Sequence, residues 1–221
     1  MIVTDLGRMA FGEAWKIQEK AVAERISGGP DRLFLVEHDP VVTLGRNGGG
    51  ENLLVSPEVL AARGVGLVQT TRGGNITCHF PGQVVAYPIF RIRASRGGLR
   101  GLFHDLEEVV IAALARYGVQ GRRCDGRPGV FADRRKIASI GLAVRRRVTA
   151  HGLALNVGRD LGVFSLITPC GLHGVEPTSM LLEMDRQATA PHPCETQIIA
   201  DVKQTLVASF ENVFDKKAVL A

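Results

Sequence analysis

The sequence predicts an α/β (α+β) fold, a mixed β-sheet flanked by helices, formed as one domain over residues 1–221. Three observations carry that expectation. Helical stripes alternate with short apolar runs along the chain. Glycine and proline punctuate them at short intervals. A hydrophobic content of 45% over 221 residues is enough for one substantial core.

The elements follow in order. Residues 10–27 place Ala10, Phe11, Ala14, Trp15, Ile17, Ala21, Val22 and Ile26 close to one helical stripe, which stops at Gly28-Gly29-Pro30. "RLFLVEH" and "VVTLGR" read as strands separated by a turn at Asp39-Pro40. "VSPEVLAARGVG" reads as a short helix with Ser56 as cap, Pro57 at its first position and Gly64 at its end. "QVVAYPIF" is a further strand. The strongest helix runs through "GLFHDLEEVVIAALARYGV", with Leu102, Phe103, Leu106, Val109, Val110, Ala113, Leu114 and Tyr117 on one face and Gly118 as its stop. "GVFA", "KIASIGLAV" and "VTAHGLALNV" are β-like, the first two joined by the polar turn "DRR" as a hairpin, and "FSLI" is strand-like. A last amphipathic helix spans "CETQIIADVKQTLVASFENVF".

Composition narrows the function. The net charge of +5 points to an acidic partner, with arginines gathered at Arg122, Arg123 and Arg127, at Arg134, Arg135 and Lys136, and at Arg145, Arg146 and Arg147. Aromatics make up 5% and do not interleave with these arginines, which argues against nucleic acid. No apolar run approaches the roughly 20 residues that cross a bilayer, so no membrane is expected. Four scattered cysteines and an N-terminus without a signal-peptide pattern favour a reducing cytoplasm.

Four stretches hold residues with chemistry. "RGGNITCHFPGQ" is glycine-rich, and paired glycines let backbone approach a ligand closely, so a tight loop would present Arg72 and His79; no Gly-Lys-Ser/Thr follows, so it is not a P-loop. An ordinary hairpin connection reads equally well locally. Lys136 begins an apolar strand, where a lysine is either a solvated strand end or, when desolvated, a proton carrier. His151, before a glycine in a strand, reads as structural. Cys170 in "ITPCGLHG" lies on a Pro- and Gly-shaped turn and is, from local features, either a buried thiol or a nucleophile. Cys170-x-x-His173 with His192-x-Cys194 offers four zinc ligands, but that spacing fits no common zinc framework, and no metal is expected.

Three stretches taken together, "RGGNITCHFPGQVVAYPI", "GVFADRRKIASIGLAVRRRVTAHGLALNV" and "FSLITPCGLHGV", with "LVEHDPVVTLGR" ahead of them, resemble the lipoyl(octanoyl) transferase family, also called lipoate-protein ligase B. The resemblance covers about residues 4–182. It implies a fold similar to the catalytic domain of biotin and lipoate protein ligases, without a cofactor. It also implies transfer of octanoyl from octanoyl-acyl carrier protein to a lysine of lipoyl domains or the glycine cleavage H protein through a cysteine thioester. By position, Cys170 would be the nucleophile and Lys136 its proton partner. The acyl pocket would be lined by Arg72, Gly73, Gly74, Asn75, Ile76, Thr77, Cys78 and His79, by Ser139, Ile140 and Gly141, and by Gly152, Leu153 and Ala154.

Three departures bear on that pocket. Phe80 stands where the family has glycine, Phe131 where it commonly has tryptophan, and "HGVEPTSM" is longer than the usual link. Rival readings are an ATP-dependent lipoate or biotin ligase, which needs no nucleophilic cysteine, and a non-catalytic module that binds carrier proteins.

Overall fold

The computed structural model describes residues 1–92, 96–169, 174–187 and 194–221. Its frame is an eight-stranded mixed sheet. The strands are β1 (Ile2–Met9), β2 (Arg32–His38), β6 (Gln83–Ile89), β7 (Gly121–Cys124), β8 (Arg127–Ala132), β9 (Arg135–Arg145), β10 (Val148–Asn156) and β11 (Val219–Leu220). Their order is β11-β1-β2-β6-β10-β9-β8-β7. β1 runs parallel to β2 and β11, and every other neighbour is antiparallel. A second sheet of three strands holds β3 (Val41–Leu44), β4 (Gly66–Gln69) and β5 (Ile76–His79) in the order β4-β3-β5.

Alternation along the strands decides what each face buries. On β10, Leu153 and Leu155 face the core beneath α3 (Gly98–Ala115) and α5 (Glu195–Phe214), which contribute Leu106, Val110, Leu114, Val202, Leu206 and Phe210. Ala150 and Ala154 face the other way, toward Ala14, Ala21 and Val22 of α1 (Phe11–Ile26). The small sheet has its own core of Val42, Ile76, Cys78 and Phe80 with Leu60 of α2 (Pro57–Ala62) and Phe164 and Leu166. Burying a Leu- or Phe-sized side chain contributes roughly 1.5–3 kcal/mol, so these three clusters hold the layers together.

Mixed sheet and flanking helices agree with the sequence reading, and the differences are local. β1, β4, β7, β11 and the helix α4 (Met180–Gln187) are not apparent from the pattern, because these are short or carry few apolar residues in period. "FSLI" belongs to a 3₁₀ turn at Gly162–Leu166 rather than a strand. Ser56 occupies the N-cap of α2, yet its side chain makes no hydrogen bond to the first-turn amides. The glycine-rich stretch is part loop and part strand, since β5 begins at Ile76 and carries His79.

Candidate active site

Arg72 to Asn75 form a turn tied down from both sides. Arg46 N–H donates to Arg72 O at 2.9 Å, Asn47 N–H to Gly74 O at 3.1 Å, and Gly73 N–H to Leu142 O of β9 at 2.8 Å. Gly74 has φ +84°, a left-handed conformation that suits glycine. Gly141 lets the turn pack closely: a Cβ there would stand 3.2 Å from Arg72 Cδ and 3.3 Å from Gly73 O, so the turn would have to move by a few tenths of an ångström. The Arg72 guanidinium donates to Thr43 O at 2.6 Å, Thr43 Oγ1 at 3.0 Å and Gly73 O at 3.1 Å, which fixes a buried cation behind the turn.

Between this turn, α1 and the large sheet lies a cavity of about 230 Å³. Thirteen of the sixteen residues assigned to the site by sequence line it: Arg72, Gly73, Gly74, Asn75, Thr77, His79, Lys136, Ser139, Ile140, Gly141, Gly152, Leu153 and Ala154. Ile76 and Cys78 point away into the small-sheet core, because adjacent residues of β5 face opposite sides. Cys170 lies outside the described residues, as does His173. The cavity also takes Phe11, Asn47, Val85, Tyr87, Gly126 and Pro128, which no motif marks, and His151, which reads as structural in sequence but faces the cavity because β10 turns that side chain toward α1. Phe80 is not among the lining residues. Its ring packs edge-on against Phe164, 5.6 Å between centroids, on the far side of β5.

Lys136 enters at the edge formed by β8 and β9 and is buried, only 7% exposed. Its Nζ lies 5.8 Å from the centre of the Phe131 ring. Gly129 lets β8 lie close to β9 at the lysine, since a Cβ there would run into the Ala138 carbonyl oxygen and stand 2.9 Å from Lys136 Cε. The lysine backbone is bound by residues 176 and 178. Lys136 N–H donates to Glu176 O at 2.8 Å and Thr178 N–H donates to Lys136 O at 2.9 Å. Ahead of Cys170, Thr168 N–H donates to Asn52 O at 2.8 Å, and Leu53 pairs with Ile167. Both described flanks of the cysteine segment are therefore anchored, the later one on the lysine itself.

Thr178 is held from further directions. Its hydroxyl donates to Glu183 Oε1 at 2.5 Å, and its carbonyl accepts from Asn156 Nδ2 at 2.9 Å. Glu183 also receives a two-point contact from Arg135 at 2.8 and 2.9 Å, and these donors hold its carboxyl below the usual range against the opposing effect of burial. Asn156 Oδ1 accepts from Gln83 Nε2 at 2.9 Å, which leaves Gln83 Oε1 to accept from His79 Nδ1 at 2.7 Å. That network assigns the proton of His79 to Nδ1.

The inner wall is aromatic. Phe11 stacks within 10° of parallel on both His79 and His151, at 5.9 and 6.4 Å. His38 donates from Nδ1 to Met9 O at 3.1 Å and accepts the Tyr87 hydroxyl at Nε2, 2.7 Å away. Burial pushes His79 down to about 3, helped by the neighbouring His38 and the Arg72 charge. Burial and Arg72 bring His151 down to about 4, and burial lowers His38 as well. The imidazoles are thus neutral near pH 7, and the cavity joins this imidazole wall to the Arg72 guanidinium at the turn and to Lys136 at the edge.

Residues 11–211 match the lipoyl protein ligase A/B catalytic domain. The chain belongs to that family. The octanoyltransferase of Nitratidesulfovibrio vulgaris is 52% identical over 221 residues, covering 100% of this chain and 98% of that one. The octanoyltransferase of Chloroflexus aurantiacus is 43% identical, covering 95% and 92%. This family member is accordingly an acyltransferase. Among solved structures, a putative lipoate protein ligase from T. acidophilum with bound lipoic acid superposes with a TM-score of 0.73 at 17% identity, over 99% of this chain and 88% of that one. Lipoate-protein ligase A bound with ATP gives 0.68 at 15% identity, over 98% and 88%. At such identities these two establish the shared fold.

Three further expectations meet the structure here. Several clustered arginines are engaged internally: Arg123 with Glu107 and Glu108, Arg135 with Glu183, and Arg122 with the Asp133 carbonyl. Arg127, Arg134, Arg146 and Arg147 are exposed. Of the four residues of the zinc alternative, only Cys194 is described, and it is exposed at the start of α5. No described helix is long and apolar enough to cross a membrane.

Proposed function

We propose that this acyltransferase moves octanoyl from the thioester of octanoyl-acyl carrier protein to Cys170, and from Cys170 to a lysine of a lipoyl domain or the glycine cleavage H protein. The supporting observation is the placement of Lys136. It is buried at the edge of an acyl-sized cavity, and its backbone is bonded to Glu176 and Thr178, a few residues past Cys170.

In the first half-reaction, the Cys170 sulfur attacks the thioester carbonyl. The carbon–sulfur bond to the carrier breaks, and the cysteine proton passes by way of Lys136 to the departing thiol. One thioester replaces another, so the exchange is near neutral in free energy and needs no ATP. In the second, the acceptor's ε-amine attacks the acyl-enzyme, an amide forms, and the nitrogen's proton returns through Lys136 to the Cys170 sulfur. A covalent intermediate lets two protein substrates use one cavity in turn, which gives ping-pong kinetics. The exposed arginines suit acidic partners by raising encounter rates, and free thiols suit a reducing cytoplasm.

Intact mass spectrometry after incubation with octanoyl-acyl carrier protein tests the scheme. The expected result is a thiol-labile octanoyl adduct on Cys170 that chases onto a lipoyl domain without ATP. Transfer that persists in Cys170→Ser, or that requires ATP, would replace this reading with that of a ligase.

A further inference from the structure

The cavity has direction. Its exposed rim is formed by Asn47, Gly74, Gly126 and Pro128, and its depth by residues with almost no solvent exposure. It crosses the large sheet from Lys136 and Ser139 on β9, over Gly152 and Ala154 on β10, to Val85 and Tyr87 on β6. Two strand spacings separate the ends, about 10 Å. A chain whose carbonyl lies beside Lys136 therefore points its tail toward β6, where the Phe11 ring closes the space from α1.

We infer that Phe11 is the stop that sets acyl-chain length, by placing its ring across the inner end of the cavity between the imidazoles of His79 and His151. Rigidity supports the role. The ring touches His79 and His151 in parallel, His38 at 5.3 Å and Trp15 at 6.0 Å, and it is buried on the first turn of α1. Packed on four sides, it cannot swing away to admit a longer chain without displacing hydrogen-bonded histidines. Those histidines are neutral and the Arg72 guanidinium donates to Thr43 and the Gly73 carbonyl, so the ring's neighbours suit an apolar chain end. Phe80, the residue the sequence singled out as a shaper of this pocket, lies behind β5 in a separate cluster. The inference rests on the proposed octanoyl reading of the same cavity.

The test compares octanoyl- and decanoyl-acyl carrier protein as donors for the wild type, Phe11→Ala and Phe11→Leu, with a lipoyl domain as acceptor. Each additional buried methylene is worth about 0.8 kcal/mol, so two raise the decanoyl-to-octanoyl ratio of kcat/KM about fifteenfold in Phe11→Ala, with a smaller rise in Phe11→Leu. Phe80→Leu, behind β5 in the separate small-sheet cluster and outside the cavity lining, should leave the ratio unchanged. A ratio within twofold of wild type in active Phe11 variants, or an equal rise in Phe80→Leu, overturns the inference. Should both Phe11 variants lose activity, calorimetric binding of free octanoic and decanoic acids reads the same preference, and an unchanged preference again overturns it. Failure of the wild type to transfer octanoyl at all would instead reject the proposed function, while the fatty-acid comparison would still judge Phe11.

Discussion

Acidification should unfold this protein earlier than carboxylate titration alone allows, because its inner wall stores neutral histidines. His79 is lowered from 6.5 to about 3 and His151 to about 4. Above pH 6.5 both folded and unfolded chains carry them uncharged, and their stabilising effect is fully present. As pH falls below 6.5 the unfolded chain takes up protons that the folded chain refuses until about pH 4 and 3, so stability is lost across that window. At pH 5 the gap from 6.5 is worth about 2 kcal/mol for each of the two, with His38 acting in the same direction. A total near 4 kcal/mol is a large fraction of the roughly 5–15 kcal/mol that holds a domain folded. Urea unfolding at pH 7.5 and 5.0 should show the midpoint falling by more than about 1 M for a slope of roughly 2–3 kcal/mol/M. Histidine NMR titration identifies the source. Equal midpoints at the two pH values, or His79 or His151 titrating above pH 6, would refute the reasoning.

Other perturbations separate support from chemistry. Asn156→Ala takes its amide donor from the buried Thr178 carbonyl and leaves the Gln83 amide only the Cys78 carbonyl at 3.3 Å, a loss of about 1–3 kcal/mol by urea unfolding together with slower transfer; wild-type stability and rate would contradict the described network. Gly129→Ala puts a methyl into the Ala138 carbonyl oxygen and 2.9 Å from Lys136 Cε at φ +115°, so the β8–β9 pair must shift beneath the lysine and transfer should fall at least tenfold; unchanged kinetics would show that the lysine's position does not depend on this contact. Phe80→Ala removes a buried ring and should destabilise by about 3–5 kcal/mol in thermal or urea melts while the decanoyl-to-octanoyl ratio stays constant. Lys136→Ala should abolish transfer, measured by octanoyl incorporation into a lipoyl domain, with circular dichroism reporting the fold intact.

Strong periodicity made much of the frame legible before any coordinates. The stripe of α3, the spacing of α5 and the alternation in β10 each bury what their patterns predict, because those segments are long enough for one face to dominate. Short edge elements such as β4 and β7 carry too few apolar residues to announce themselves. The glycines of the Arg72 turn and the lone Lys136 are likewise apparent as chemistry in the chain, although one reading of each remained bland.

By itself, then, the sequence determined the layers, the glycine turn and the residues proposed for acyl transfer. Only the tertiary structure decided which of them share a cavity. Thr77 and His79 face it while Ile76 and Cys78 do not, a consequence of strand register that no local pattern specifies. Phe11, from the first helix, closes a space built mainly by β5, β6, β9 and β10, and Phe80 supports the opposite side of β5. The physical reason is that a side chain's partners are set by how separate elements pack against one another, and packing brings together residues more than a hundred positions apart, as it does Phe11 and His151.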